Sequence, residues 1–213
     1  VLNFDLGAIV PFDIASSIAK VKDADIVIFA GGIAPSLEGE EMPVQIQGFK
    51  GGDRTDIELP AIQRRMLQEL KKAGKKIVFV NFSGSAMALV PEIESCDAIL
   101  QAWYPGQAGG TAVANVLLGD YNPSGKLPVT FYKNVNQLPD FEDYNMKGRT
   151  YRFMTEKPLF HFGYGLNYTT FVIGNARLNK TKINRNESLK MTIPVSNTGK
   201  MSGTEVVQVY VKK

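Results

Sequence analysis

Cysteine and histidine are each present only once in 213 residues, and each scarcity removes a class of chemistry. Cys96 has no partner for an internal disulfide, and His161 alone builds no metal site. No metal set and no cofactor is expected. No apolar run approaches the roughly 20 residues of a membrane helix, so no segment is expected to span a bilayer. Charge of one sign is scarce as well: 24 Lys and Arg stand against 21 Asp and Glu. Apart from Lys71–Lys72 and Lys75–Lys76 the cations are scattered, so nucleic acid is not an expected partner. An initiator Met and a signal-peptide pattern are both missing. The chain opens at Val1 in mid-pattern and reads as a piece of a longer polypeptide. Poverty in cysteine is compatible with cytosol and periplasm alike.

What is present is the composition of a globular protein, 44% hydrophobic and 21% charged. Asp25-Ile-Val-Ile-Phe-Ala30, bounded by Gly31-Gly32, predicts a buried strand. Pro60 opens a stretch with apolar residues at Ile62, Met66, Leu67 and Leu70, closing on lysines before Gly74. That punctuation predicts a helix. Lys76-Ile-Val-Phe-Val80 and Asp97-Ala-Ile-Leu-Gln-Ala102 predict two more strands, and Gly106 to Leu118 a further helix. Strand–helix alternation with continuously apolar strands indicates an α/β fold, a mostly parallel sheet flanked by helices on both faces.

Beyond about residue 120 the pattern changes. Asn122-Pro-Ser-Gly125 is a turn cluster, and Leu127-Pro-Val-Thr-Phe131 reads as an edge or terminal strand. Residues 132–157 read as an irregular, aromatic-bearing wrapping loop. From Phe171 the pattern alternates, with Leu189, Met191, Ile193 and Val195 on one face and another strand at Val206–Val211. This is a partial antiparallel β-sandwich segment, too short for the roughly 100 residues such a sandwich takes.

The longest stretch without a structural assignment runs from Gly31 through Glu38-Gly-Glu-Glu-Met42 to Gly51-Gly-Asp-Arg54. It leaves the carboxyl end of the first strand, where open parallel sheets bind ligands. Glu38, Glu40 and Glu41 crowd three carboxylates into four residues. Crowded acids raise one another's pKa, as a general acid requires; a solvated acidic loop is the competing reading. A nucleotide-phosphate loop is the disfavoured reading, because neither glycine fingerprint follows Gly31-Gly32 and acids stand where phosphate would sit.

These residues also carry a resemblance. Asp25–Gly32, Glu38-Gly-Glu-Glu41 and Gly52-Asp-Arg-Thr-Asp-Ile-Glu-Leu-Pro60 resemble the first part of the glycoside hydrolase family 3 C-terminal sandwich domain. Trp103-Tyr-Pro-Gly-Gln-Ala-Gly-Gly-Thr-Ala112 with Leu118–Phe131, and Phe160–Phe171, are similar to the blocks that close that domain. They lead into a fibronectin-type-III-like module. The resemblance implies domains at residues 1–168 and 169–213.

It further implies a retaining exo-β-glycosidase acting on non-reducing-end β-xylosyl or β-glucosyl residues of an oligosaccharide. The Asp nucleophile would lie on an N-terminal barrel outside this chain, and this chain would supply the Glu acid/base. Glu40 is the first candidate, with Glu41 and Glu38 as alternatives. Trp103 and Tyr104 are candidates for sugar stacking or for packing against the barrel. Asp53 and Arg54 are substrate ligands or a structural pair ahead of the helix at Pro60. His161 stands where the family commonly has Pro and reads as structural, and Cys96 as a buried or semi-buried thiol. The partners implied are the oligosaccharide substrate and the barrel, the location periplasmic or secreted, and the isolated piece inactive. A non-catalytic sugar-binding or packing domain is the alternative.

Overall fold

The computed structural model describes residues 13–39 and 41–212. They form two compact units, one made of the described residues up to Gly109 plus Val129–Phe162, the other of Gly110–Pro128 plus residues 163–212.

In the first unit Asp13 caps helix α1 (Ile14–Lys20), its carboxylate accepting from Ser16 N at 3.2 Å. Strand β1 (Ile26–Gly32) follows, then three two-residue strands, β2 (Gln45–Ile46), β3 (Phe49–Lys50) and β4 (Asp53–Arg54), paired antiparallel. Helix α2 (Ala61–Lys72) starts behind Pro60 and ends ahead of Gly74, whose φ of +74° suits glycine. Next come β5 (Lys76–Phe82), α3 (Val90–Ser95) and β6 (Ala98–Gln101). β1, β5 and β6 make a parallel sheet in that order, with Phe29 opposite Phe79 and Gly31 opposite Asn81. All three strands and α2 match the sequence expectation.

Met66, Leu67 and Leu70 of α2 and Ile77 and Phe79 of β5 are at most 1% exposed. Phe29 and Phe79 meet at 5.8 Å between ring centres. Each such side chain contributes about 1.5–3 kcal/mol on burial, and this layer holds the first unit together. Gln63, rather than the expected Ile62, is the buried residue of the first turn of α2. Its amide donates to Gly32 O and accepts from Gly32 N, both at 2.8 Å, so it pairs with the backbone as a neighbouring strand would. The sheet is flanked by helices as expected, and β1 leaves Ile26 and Ile28 56% and 59% exposed on its other face. The predicted strand at 127–131 is reduced to a single bridge between Phe131 and Phe160.

The second unit holds most of helix α4 (Gly109–Leu118), three residues shorter than expected because Gly106 turns with φ +69°. It also holds two antiparallel pairs: β7 (Phe171–Ile173) with β10 (Val195–Asn197), and β8 (Arg177–Leu178) with β9 (Met191–Thr192). Asn122 is its knot, accepting from Tyr168 N at 2.7 Å and donating to Ser202 O at 2.9 Å. Lys126 pairs with Glu205 at 3.0 Å. The expected strand at Val206–Val211 has no ladder partner among the described residues and is not a strand.

Candidate active site

The carboxyl ends of β1, β5 and β6 lie side by side, and the segments leaving them meet. Ile33 N donates to Phe82 O at 2.8 Å, joining the exits of β1 and β5. Tyr104, three residues beyond β6, donates its hydroxyl to Ile33 O at 2.7 Å. Its ring lies against Gly84 so closely that a Cβ there would stand 2.6 Å from ring carbon Cε2. Burial pushes the Tyr104 phenol above its ordinary value; the Gly84 backbone bond opposes this, Glu38 adds to it, and Arg54 offsets part.

Beside this corner the buried Asn81 and Ser83 form a polar cluster with the half-buried Gln101. Asn81 Nδ2 donates to Gln101 Oε1 at 2.7 Å, and Ser83 Oγ donates to Ser85 O at 3.0 Å. The turn after β5 is therefore shaped from inside the protein.

A chain of contacts runs outward from Ser85. Its hydroxyl accepts from Arg54 Nη1 at 2.9 Å and donates to Glu38 Oε1 at 3.3 Å. Arg54 Nη2 donates to Glu58 O at 3.3 Å. Burial lowers the Arg54 pKa, and the charges of Glu38 and Asp56 counter it. Glu58 in turn pairs with Arg64, whose Nε donates to the fully buried Glu92 carboxylate at 2.8 Å. Burial alone would lower the Arg64 pKa, but its bonds to Glu92 and then Glu58 outweigh that and hold it above the ordinary value. Glycines pin the rest of the loop. Gly52, with φ +90°, packs so tightly on Gly39 O that an added Cβ would stand 1.6 Å from it, and Met42 N donates to Gly51 O at 2.9 Å.

Two residues nominated from sequence carry left-handed backbone: Glu41 with φ +51° and Trp103 with φ +56°. Such conformations cost of order 1–3 kcal/mol and gather at functional sites. Glu38 is half-buried and anchored by Ser85, Glu41 is exposed, and Glu40 lies outside the described residues. Trp103 sets its ring edge-on to Phe131 at 6.0 Å, while Tyr104 keeps 47% of its surface exposed. Asp53 is exposed opposite Lys50, and Arg54 acts as a tie between the loop and the turn after β5. His161 Nδ1 lies 2.8 Å from the Phe162 carbonyl oxygen. Burial, then Glu92 and Asp97, push the Cys96 thiol up to about 12, which removes it as a nucleophile. Sequence reasoning missed Ser85, Gly84 and the Arg64–Glu92 pair. The Ser83-Gly-Ser85 turn directly after a predicted strand was the one available signal.

A parallel sheet flanked by helices, whose strand exits gather an acidic loop, a serine turn and an exposed aromatic ring, defines an α/β domain with a candidate site at its carboxyl edge. Residues 11–168 match the glycosyl hydrolase family 3 C-terminal domain, and the chain belongs to that family. It is 59% identical over 211 residues to a xylan 1,4-beta-xylosidase of Xylanibacter ruminicola, covering 99% of this chain and 24% of that protein. To a periplasmic beta-glucosidase of Salmonella typhimurium it is 36% identical, covering 93% and 26%. A solved β-glucosidase from Erythrobacter marinus superposes with TM-score 0.74 at 38% identity, covering 87% of this chain and 24% of that one. The chain thus spans about a quarter of the length of the curated relatives it matches.

Proposed function

We propose that this chain is the acid/base-bearing part of a retaining exo-β-glycosidase that removes β-xylosyl or β-glucosyl units from the non-reducing end of oligosaccharides. β-Xylosides are the first choice, in keeping with the 59% identity to a protein named as a xylan 1,4-beta-xylosidase. The Asp nucleophile belongs to an N-terminal barrel of the longer polypeptide. Residues 1–168 form the catalytic-support domain, and 169–213 open the fibronectin-type-III-like module. The location is periplasmic or secreted, as the name of one relative suggests.

The observation that carries this reading is the anchored loop: Gly31 to Arg54 leaves the carboxyl end of β1 and is tied at Glu38, Gly39 and Met42. In the proposed mechanism an acid of this loop protonates the leaving oxygen and then activates water against the glycosyl-enzyme ester. Glu40 remains the first candidate and Glu41 the second. Glu38, hydrogen-bonded by Ser85 and facing the Arg54 charge, is suited to holding the loop. The exposed ring of Tyr104 offers a face for the sugar next to the bond being cleaved.

The experiment is to express the full-length polypeptide with Glu40→Gln and, separately, Glu41→Gln. The acid/base variant loses roughly 100-fold or more on poor leaving groups. It retains activity on activated aryl glycosides and recovers with azide. Full activity in both variants refutes the assignment. The chain by itself, lacking the nucleophile, should turn over neither nitrophenyl xyloside nor glucoside.

A further inference from the structure

Ser85 is gripped from two directions. From inside, Asn81 of β5 and Gln101 of β6 both donate side-chain N–H groups to Ser83 Oγ, at 3.3 Å and 3.2 Å. That leaves the Ser83 proton for Ser85 O, at 3.0 Å. The Ser85 backbone is thereby tied to two strands of the parallel sheet, and groups set by strands are placed more accurately than groups set by loops alone. From outside, Arg54 Nη1 donates to Ser85 Oγ at 2.9 Å. A guanidinium has no acceptor, so the hydroxyl must accept there, and its one proton is left for Glu38 Oε1 at 3.3 Å.

The charge on Arg54 is more than this contact needs. Its hydrogen-bond partners, the Ser85 hydroxyl and the Glu58 carbonyl, are neutral, and its Nε is buried without a hydrogen-bond partner among the described residues. Burying a charge on those terms is costly, and a glutamine amide would offer N–H groups to the same two oxygens. An amide, however, can turn and take the Ser85 proton on its own oxygen. The guanidinium cannot, so arginine is the side chain that commits Ser85 to Glu38.

We infer that Ser85 is a positioning residue for the acid/base of the proposed reaction: oriented by Arg54, its hydroxyl holds Glu38 and fixes the start of the run that carries the acid. This rests on the glycosidase reading above. The rest of the run is held by backbone, with Gly52 packed on Gly39 O and Met42 N donating to Gly51 O at 2.9 Å. Glu38 is the point at which a side chain ties the run to the strand exits. Ser85 touches no reacting atom in this role; it acts through Glu38, and Arg54 acts through Ser85.

The test uses the full-length polypeptide with Ser85→Ala, Arg54→Met and both together. Each single variant should lower kcat/KM on xylobiose roughly 10- to 100-fold, as expected of a reacting group displaced by up to about 1 Å. On dinitrophenyl xyloside, whose leaving oxygen needs no proton, kcat/KM should hold. Because the two side chains act in series, the double variant should lose no more than the worse single. Hydrogen exchange across residues 37–42 should quicken in all three. Wild-type kcat/KM on xylobiose in Ser85→Ala overturns the inference. So does an equal loss on both glycosides, which marks a general packing defect, or a double variant whose losses multiply. If the unmodified polypeptide hydrolyses neither glycoside, the function proposed above fails; the exchange measurement then decides the tie to Ser85 separately, and unchanged exchange refutes it.

Discussion

Arg64→Met should be among the most damaging single changes in the first unit, and its cost can be worked from the geometry. Glu92 has a side chain with 0% exposure, and its only ion-pair partner among the described residues is Arg64. Removing the guanidinium leaves a buried carboxylate unpaired, which costs about 3–5 kcal/mol. The second partner, Glu58, is 43% exposed and regains water, so it adds little. Urea unfolding followed by the fluorescence of Trp103, the only tryptophan, reads the change. With a slope of about 1–3 kcal/mol per molar urea, the midpoint should fall by about 1–5 M. Arg64→Met combined with Glu92→Leu removes both charges and should recover most of the loss, since replacing a buried pair by apolar groups is often neutral or stabilising. If the double variant is as unstable as the single, the damage comes from lost packing and the orphaned-charge argument is wrong.

The loop and the aromatic corner make further predictions. Gly52→Ala would place a Cβ 1.6 Å from Gly39 O at φ +90°, so it should displace the Glu38–Met42 loop and lower kcat of the full-length polypeptide. A wild-type kcat in that variant refutes the anchoring. Gly84→Ala would meet the Tyr104 ring at 2.6 Å and should raise KM by pushing the ring off the turn, whereas Tyr104→Ala in the same background should add little. Alkaline stability should report Cys96. The unfolded thiol titrates near 9.0 and the folded one near 12, so its contribution is complete below 9.0 and is lost as pH rises towards 12. Cys96→Ala should therefore show a shallower alkaline decline, and an identical slope would mean that partial burial does not raise the thiol.

Much of the scaffold was legible from periodicity. Three apolar runs bounded by glycine, turn residues or Lys became β1, β5 and β6, and Pro60 to Gly74 framed α2 within a residue. Periodicity failed where a long-range partner decides the outcome. Gln63 is polar at a position where the apolar stripe nominated Ile62, yet it is buried because Gly32 offers both an N–H and a C=O. Val206–Val211 has the alternation of a strand but no neighbouring ladder, and a strand is defined by its pairing.

The site divides in the same way. The acidic loop was visible as a cluster of like charges at a strand exit, because both features are local. Its anchor was not visible, because Glu38, Ser85, Arg54 and Glu58 are brought together only when β1, β5 and the 53–58 segment fold beside one another. The sequence by itself determined an α/β domain and its family, and nominated the region Gly31–Arg54 as the candidate site, since composition, period and motif are carried by neighbouring residues. Only the tertiary structure separated the anchored Glu38 from the exposed Glu41, gave Arg54 a tying role, and set Tyr104 against Gly84. Those distinctions depend on contacts between residues dozens of positions apart, which no local pattern encodes.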